Sequence, residues 1–205
     1  RGANDEAMKR KAGRAKTPHR PSIAELRNGE FDVVDQLSDD FGWRIGGDVV
    51  AEHGALTLRE GVRFQSGIRQ TFLLPPDMSA LQFTIQAIQL ISDLDGPGDA
   101  VEVALLDAHS GAPSVPQLSG LDLTDALLNI QSSGDFFLTE SASITSLQPE
   151  APLAAPPFVV SVDLTNIDPG TEVTLFLDLL GFGEDNSFVT NDDVLLVSAD
   201  DPDIY

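Results

Sequence analysis

Asn28-Gly29-Glu30-Phe31, an acidic spacer, and then Phe41-Gly42-Trp43-Arg44-Ile45-Gly46-Gly47 form the stretch on which the reading of this chain turns. Ahead of it the sequence is basic and has no hydrophobic period. Behind it come short runs of alternating apolar and polar residues with almost no positive charge. The stretch marks the entry to a folded body, and it divides the chain into a basic N-terminal arm, residues 1–27, and an acidic domain, residues 28–205.

The runs behind Trp43 read as strands. Val49-Val50, 55–58, 69–74, 81–88, 100–106, 136–138, 158–164, 172–180 and 193–197 are rich in Val, Ile, Leu, Phe and Thr, and several alternate with period 2. Turn signals separate them: Pro75-Pro76-Asp77, Asp95-Gly96-Pro97-Gly98, Ser110-Gly111 and Asp168-Pro169-Gly170. Residues 118–134, with Leu121, Leu123, Leu127 and Leu128 among acids, fit either a short helix or an excursion between strands. At 205 residues one all-β domain is ordinary. The expected fold is an antiparallel β-sandwich, a jelly roll, carrying a basic and partly helical arm. In that arm Asn4 with Asp5 and Glu6 suits a helix start, and Ser22 with Glu25 suits a capping box for one short turn ending near Gly29.

Charge is distributed unevenly. The arm holds eight Lys or Arg against three acids, a balance of +5, whereas the body holds four Arg against thirty acids, a balance of −26. No Lys or Arg follows Arg69. A body this acidic repels nucleic acid and anionic membrane and favours divalent cations or a basic partner. No cysteine is present, which excludes disulfides and thiolate chemistry. No apolar run approaches the roughly 20 residues of a membrane span. The chain opens on Arg1, not Met, as expected of a processed chain.

Calcium is the chemistry best suited to the acidic loops. Asp93-Leu94-Asp95-Gly96-Pro97-Gly98-Asp99 places carboxylates at Asp93, Asp95 and Asp99 around a glycine-bearing turn, with Glu102 close behind, which can gather several oxygens about one hard cation. The same residue types also dominate plain turns for conformational reasons. A second acidic cluster, Glu184-Asp185-Asn186 and Asn191-Asp192-Asp193, precedes the last strand.

The opening Asn28-Gly29-Glu30-Phe31, Trp43 with its following glycines, the long strand from Asp99 to Asp107 and the closing Asn191-Asp192-Asp193-Val194 together resemble the jelly-roll modules of the carbohydrate-binding-module type found in large secreted bacterial proteins. That resemblance implies a structural calcium shared by Glu30 and Asp193, and it implies sugar binding. Sugar platforms are aromatic. Here the single Trp43 reads as core, most of the eleven Phe read as core, and Phe182 and Phe188 are the best exposed candidates.

Catalysis finds no foothold. His19, His53 and His109 are isolated, no nucleophile elbow or phosphate-binding glycine loop occurs, and any carboxylate pair is cheap among thirty acids. The chain is therefore expected to be no enzyme. The leading expectation is a self-assembling extracellular structural protein, a fibre or surface-layer subunit. In it Lys9, Arg10, Lys11, Arg14, Lys16 and Arg20 of one copy would dock on the acidic body of the next, with Asp200, Asp201 and Asp203 as a seat. Its partner would be other copies of itself. The alternative is a carbohydrate-binding or adhesive module at the cell surface, with glycans as partners.

Overall fold

The structure is a computed structural model that describes residues 26–52, 54–60, 65–90, 99–121, 124–148, 150, 152, 155–181 and, by backbone, 194–198. It contains β1 (Arg44–Gly46), β2 (Asp48–Glu52), β3 (Ala55–Arg59), β4 (Gln65–Leu73), β5 (Ala80–Gln89), β6 (Ala100–Asp107), β7 (Leu128–Gln131), β8 (Phe136–Leu138), β9 (Ala142–Ser146), β10 (Phe158–Asp163), β11 (Glu172–Leu180) and β12 (Val194–Ser198). Among the described residues the only helical element is the 3₁₀ turn Asp39–Phe41.

Alternation makes these strands two-faced. On β11, Val173, Leu175, Leu177 and Leu179 are at most 2% exposed, while Glu172, Phe176, Asp178 and Leu180 on the opposite phase stay half-buried. The strands form two sheets, ordered β1-β4-β11-β6-β7-β8 and β2-β3-β12-β5-β10-β9, with every pairing antiparallel. β3 pairs β12, β4 pairs β11, β5 pairs β10, and β6 pairs β7. That nesting, first strand with last and inward to an adjacent pair, is one long hairpin coiled so that successive pairs fall in opposite sheets. It is the jelly-roll arrangement of an antiparallel sandwich, and β1, β2, β8 and β9 widen its edges.

The inner faces meet in one core. Phe72, Val103, Leu105 and Leu175 come from the first sheet; Leu56, Leu58, Phe83, Ile85, Phe158 and Val160 come from the second. Each such side chain contributes about 1.5–3 kcal/mol by leaving water.

The entry stretch closes one end of this core. Asn28 sits at φ 50° and Phe31 at φ 54°, and the Asn28 side chain ties the turn by donating to the Val33 carbonyl at 2.9 Å and the Phe41 carbonyl at 3.2 Å. The Val33 amide donates back to Asn28 Oδ1 at 2.9 Å. Trp43 is 6% exposed, its ring 5.5 Å from that of Phe31, and its indole N–H donates to the Asn28 carbonyl at 3.0 Å. The tryptophan is core, as expected. Gln70, 2% exposed on β4, accepts from the Arg27 amide at 2.6 Å and donates to the Arg27 carbonyl at 2.9 Å. Leu26 also packs on the core, so the folded body begins at least two residues before Asn28.

The nine expected strands are present, with shifted ends. Residues 118–134, expected as helix or excursion, instead place β7 in the first sheet beside β6; Asp122 and Leu123 lie outside the described residues. Residues 26–30 form a turn, not the end of a helix, and residues 1–25 lie outside the described part.

Candidate functional site

The outward phase of the first sheet builds a trough. Register sets two rows across it. In one, Arg44 of β1 faces Arg69 of β4, which faces Phe176 of β11, which faces Ala104 of β6. In the other, Gly46 faces Gly67, then Asp178, Glu102 and Asn129 follow on β11, β6 and β7, with Phe137 of β8 at the end. Two cavities of about 470 Å³ each lie along these rows, and both are lined by Phe176 and Asp178. The acid half adds Glu102, Asn129 and Asp125; the basic half adds Arg44, Arg69 and Gln65.

Like charges stand directly opposite each other here. Arg44 and Arg69 are register partners, and so are Asp178 and Glu102. Such pairs cost stability in an antiparallel sheet. Burial pushes the Asp178 carboxyl above its ordinary pKa, and the neighbouring Glu102 adds to the rise. A hydrogen bond from Gln65 and the charge of Arg69 oppose it. Gly67 is what gives this carboxylate room: a Cβ there would fall on Asp178 Oδ1 and lie 2.9 Å from the Leu177 carbonyl. The Arg69 guanidinium carbon is 5.9 Å from the centroid of Phe176, within cation–π range.

Asn129 is 3% exposed. Its Nδ2 donates to Glu102 Oε1 at 2.8 Å, which fixes the amide orientation and leaves Oδ1 buried, with no hydrogen-bond partner among the described residues. A buried amide oxygen without a partner is costly, typically about 1–3 kcal/mol.

The residues singled out from sequence fall elsewhere. Glu30 is exposed, in the entry turn, and Asp99 is 4% exposed, immediately ahead of β6, its carbonyl accepting from the Ser132 amide at 2.8 Å. Asp93, Asp95 and Asp193 lie outside the described residues, as do Phe182, Phe188, the arm cations Lys9, Arg10, Lys11, Arg14, Lys16 and Arg20, and the acceptor acids Asp200, Asp201 and Asp203. Among the described residues no three His, Asp or Glu side chains converge as a metal cage. His109, expected to be isolated, lies 3.7 Å from Glu172 at an exposed turn.

Arg44, Arg69, Phe176, Asp178 and Asn129 carry no mark as site residues in the sequence; Glu102 stands out there only as the carboxylate close behind the Asp93–Asp99 turn, not as a partner of Asp178 and Asn129. One signal was available: Phe176 shares its phase with Thr174 and Asp178, not with Leu175, Leu177 and Leu179, so β11 presents an aromatic on its more polar side. No family model matches the chain, and no curated protein or solved structure matches it.

Proposed function

We propose that the chain is a non-catalytic binding module for polyhydroxylated ligands, carbohydrates by class, and that the trough on the first sheet is its binding face. The observation that carries this is the polarity of the trough. One half offers arginines, which only donate hydrogen bonds; the other offers carboxylates and an amide oxygen, which accept them; an aromatic ring lies between. A sugar hydroxyl both donates and accepts, so one chain of hydroxyls satisfies both halves, and the apolar face of a pyranose suits Phe176. A glycan array probed with the wild type and with Arg69→Ala and Phe176→Ala tests the proposal. Glycans retained by the wild type are lost from both variants; an array on which the wild type retains none, or on which the variants behave as wild type, rejects it.

A second proposal rests on the charge split between arm and body, +5 against −26. Copies associate through the basic arm, extracellularly, into a fibre or layer. Light scattering against salt checks it: particles held this way shrink as salt rises and screening shortens to about 8–10 Å. Deleting residues 1–22 leaves a monomer, and polymers that survive the deletion refute the clasp.

A further inference from the structure

Sugar hydroxyls can donate to the acid half of the trough, but they do not neutralise the two carboxylates that face each other there. Asp178 and Glu102 face each other on the two central strands, β11 and β6, where nothing in the strand pattern requires charge. Beside them Asn129, which lines the same cavity, is 97% buried and carries an unpartnered, buried Oδ1. Turning the amide over would satisfy nothing, because it would set Oδ1 against the Glu102 carboxylate that Nδ2 now serves. All three groups are acceptors, and all three are relieved by one positive centre.

We propose that Asp178, Glu102 and Asn129 Oδ1 form a site for a hard divalent cation, calcium by class. The donor set is oxygen only, with no imidazole or thiolate lining the cavity, which disfavours zinc and copper and favours calcium or magnesium. Calcium takes 6–8 oxygens and accepts irregular geometry, so water, Asp125 at the same cavity and the hydroxyls of a bound ligand can complete the shell. Magnesium, with its stricter octahedron, fits three ligands fixed by sheet register less well. The strongly acidic body raises the local concentration of cations. Gly67 belongs to the device, since any side chain there would displace Asp178. This site shares Glu102 with the acidic turn read from sequence but uses none of Asp93, Asp95, Asp99, Glu30 or Asp193, and it stands whether or not a glycan binds.

The experiment is isothermal titration of the full chain with CaCl2, and separately with ZnCl2. It compares wild type, the double variant Glu102→Gln with Asp178→Asn, the variant Asn129→Leu, and a control carrying Asp93→Asn with Asp95→Asn. The expected result is calcium binding in the wild type, loss of one equivalent in the trough double variant, at least tenfold weaker binding at that site in Asn129→Leu, and full retention of that equivalent in the control. Asn129→Leu removes the amide oxygen without changing charge, so it keeps the test open if the double variant fails to fold. A wild type that binds no calcium, a folded double variant with unchanged stoichiometry, or a folded Asn129→Leu with unchanged affinity overturns the proposal; so does stronger binding of zinc than of calcium at the trough.

Discussion

The outer faces of the two sheets pair their charges differently. On the second sheet, cross-strand partners suit one another: Asp48 faces Arg59, and Ser161 faces Ser143 and Gln82, with the Gln82 amide donating to the Ser161 hydroxyl at 3.2 Å. On the first sheet Arg44 faces Arg69 and Asp178 faces Glu102. Favourable cross-strand pairs are worth about 0.2–1 kcal/mol, and like charges directly opposite destabilise. One face is arranged for stability, while the other carries repulsion, a raised carboxyl and a buried oxygen with no partner. This collection of like charges and an unpartnered amide oxygen on one outer face is the reason we propose that face for binding.

Substitutions can sharpen or break this contrast. The largest effect is expected inside β11 itself. Leu177→Ala, on the core phase, should lower stability by about 2–5 kcal/mol in urea denaturation. Its neighbour Phe176→Ala, on the trough phase, should cost much less and act on ligand retention. Next comes a glycine pair on adjacent strands. Gly67→Ala should cost about 1–3 kcal/mol as an overpacking change against Asp178. Gly46→Ala has nothing within 4 Å and should leave the urea midpoint where it is. Equal effects at the two glycines would mean that Asp178 is not held where we place it.

Asp178→Asn should raise Tm near neutral pH, with each 1 kcal/mol gained appearing as about 2–4 °C in a domain of this size. The sign follows from linkage. A carboxyl whose folded pKa lies above its ordinary value of 3.8 keeps its proton longer in the folded state. Its contribution to stability is therefore greatest below that ordinary value and is lost as pH rises through the raised one. Asp163 and Asp107, lowered chiefly by hydrogen bonds from the Thr165 side chain and the Ser110 backbone, act in the other direction: their contribution is lost as pH falls through their lowered values. Tm followed from pH 3 to pH 7 should thus lose part of its alkaline decline in Asp178→Asn. The smallest effect is a charge reversal: Arg44→Glu turns a like pair into an opposite pair and should stabilise by about 0.2–1 kcal/mol while weakening glycan retention. Asp48→Arg on the second sheet should do the reverse to stability and leave binding untouched.

Much of the fold could be read in advance, because burial of one sheet face writes period 2 into the sequence. The leucine and valine phase of 172–180 and the Phe158–Val162 run gave central strands directly. Three strands escaped for local reasons. β1 is only Arg44-Ile45-Gly46, β9 is the small and polar Ala142–Ser146, and β7 follows a leucine-rich, acidic stretch whose pattern also suits a helix. The trough was illegible for a different reason. Asp178, Glu102, Gly67 and Asn129 are neighbours only through the register of four strands far apart in sequence, and register is a property of the assembled sheet. Phe176 was taken for core because phenylalanine usually is; its phase, not its identity, puts it outside. The acidic turn drew attention by the spacing of Asp93, Asp95 and Asp99, two of which lie outside the described residues.

The most direct measurement is an amide ¹H–¹⁵N correlation titration of the full chain with the glycan best retained on the array. Resonances of Gly67, Arg69, Glu102, Asn129, Phe176 and Asp178 should move together and saturate at one concentration, while Gln82, Gln86 and Ser161 on the other sheet stay still. Movement confined to that second sheet, or no movement on the first, would contradict the assignment of the binding face.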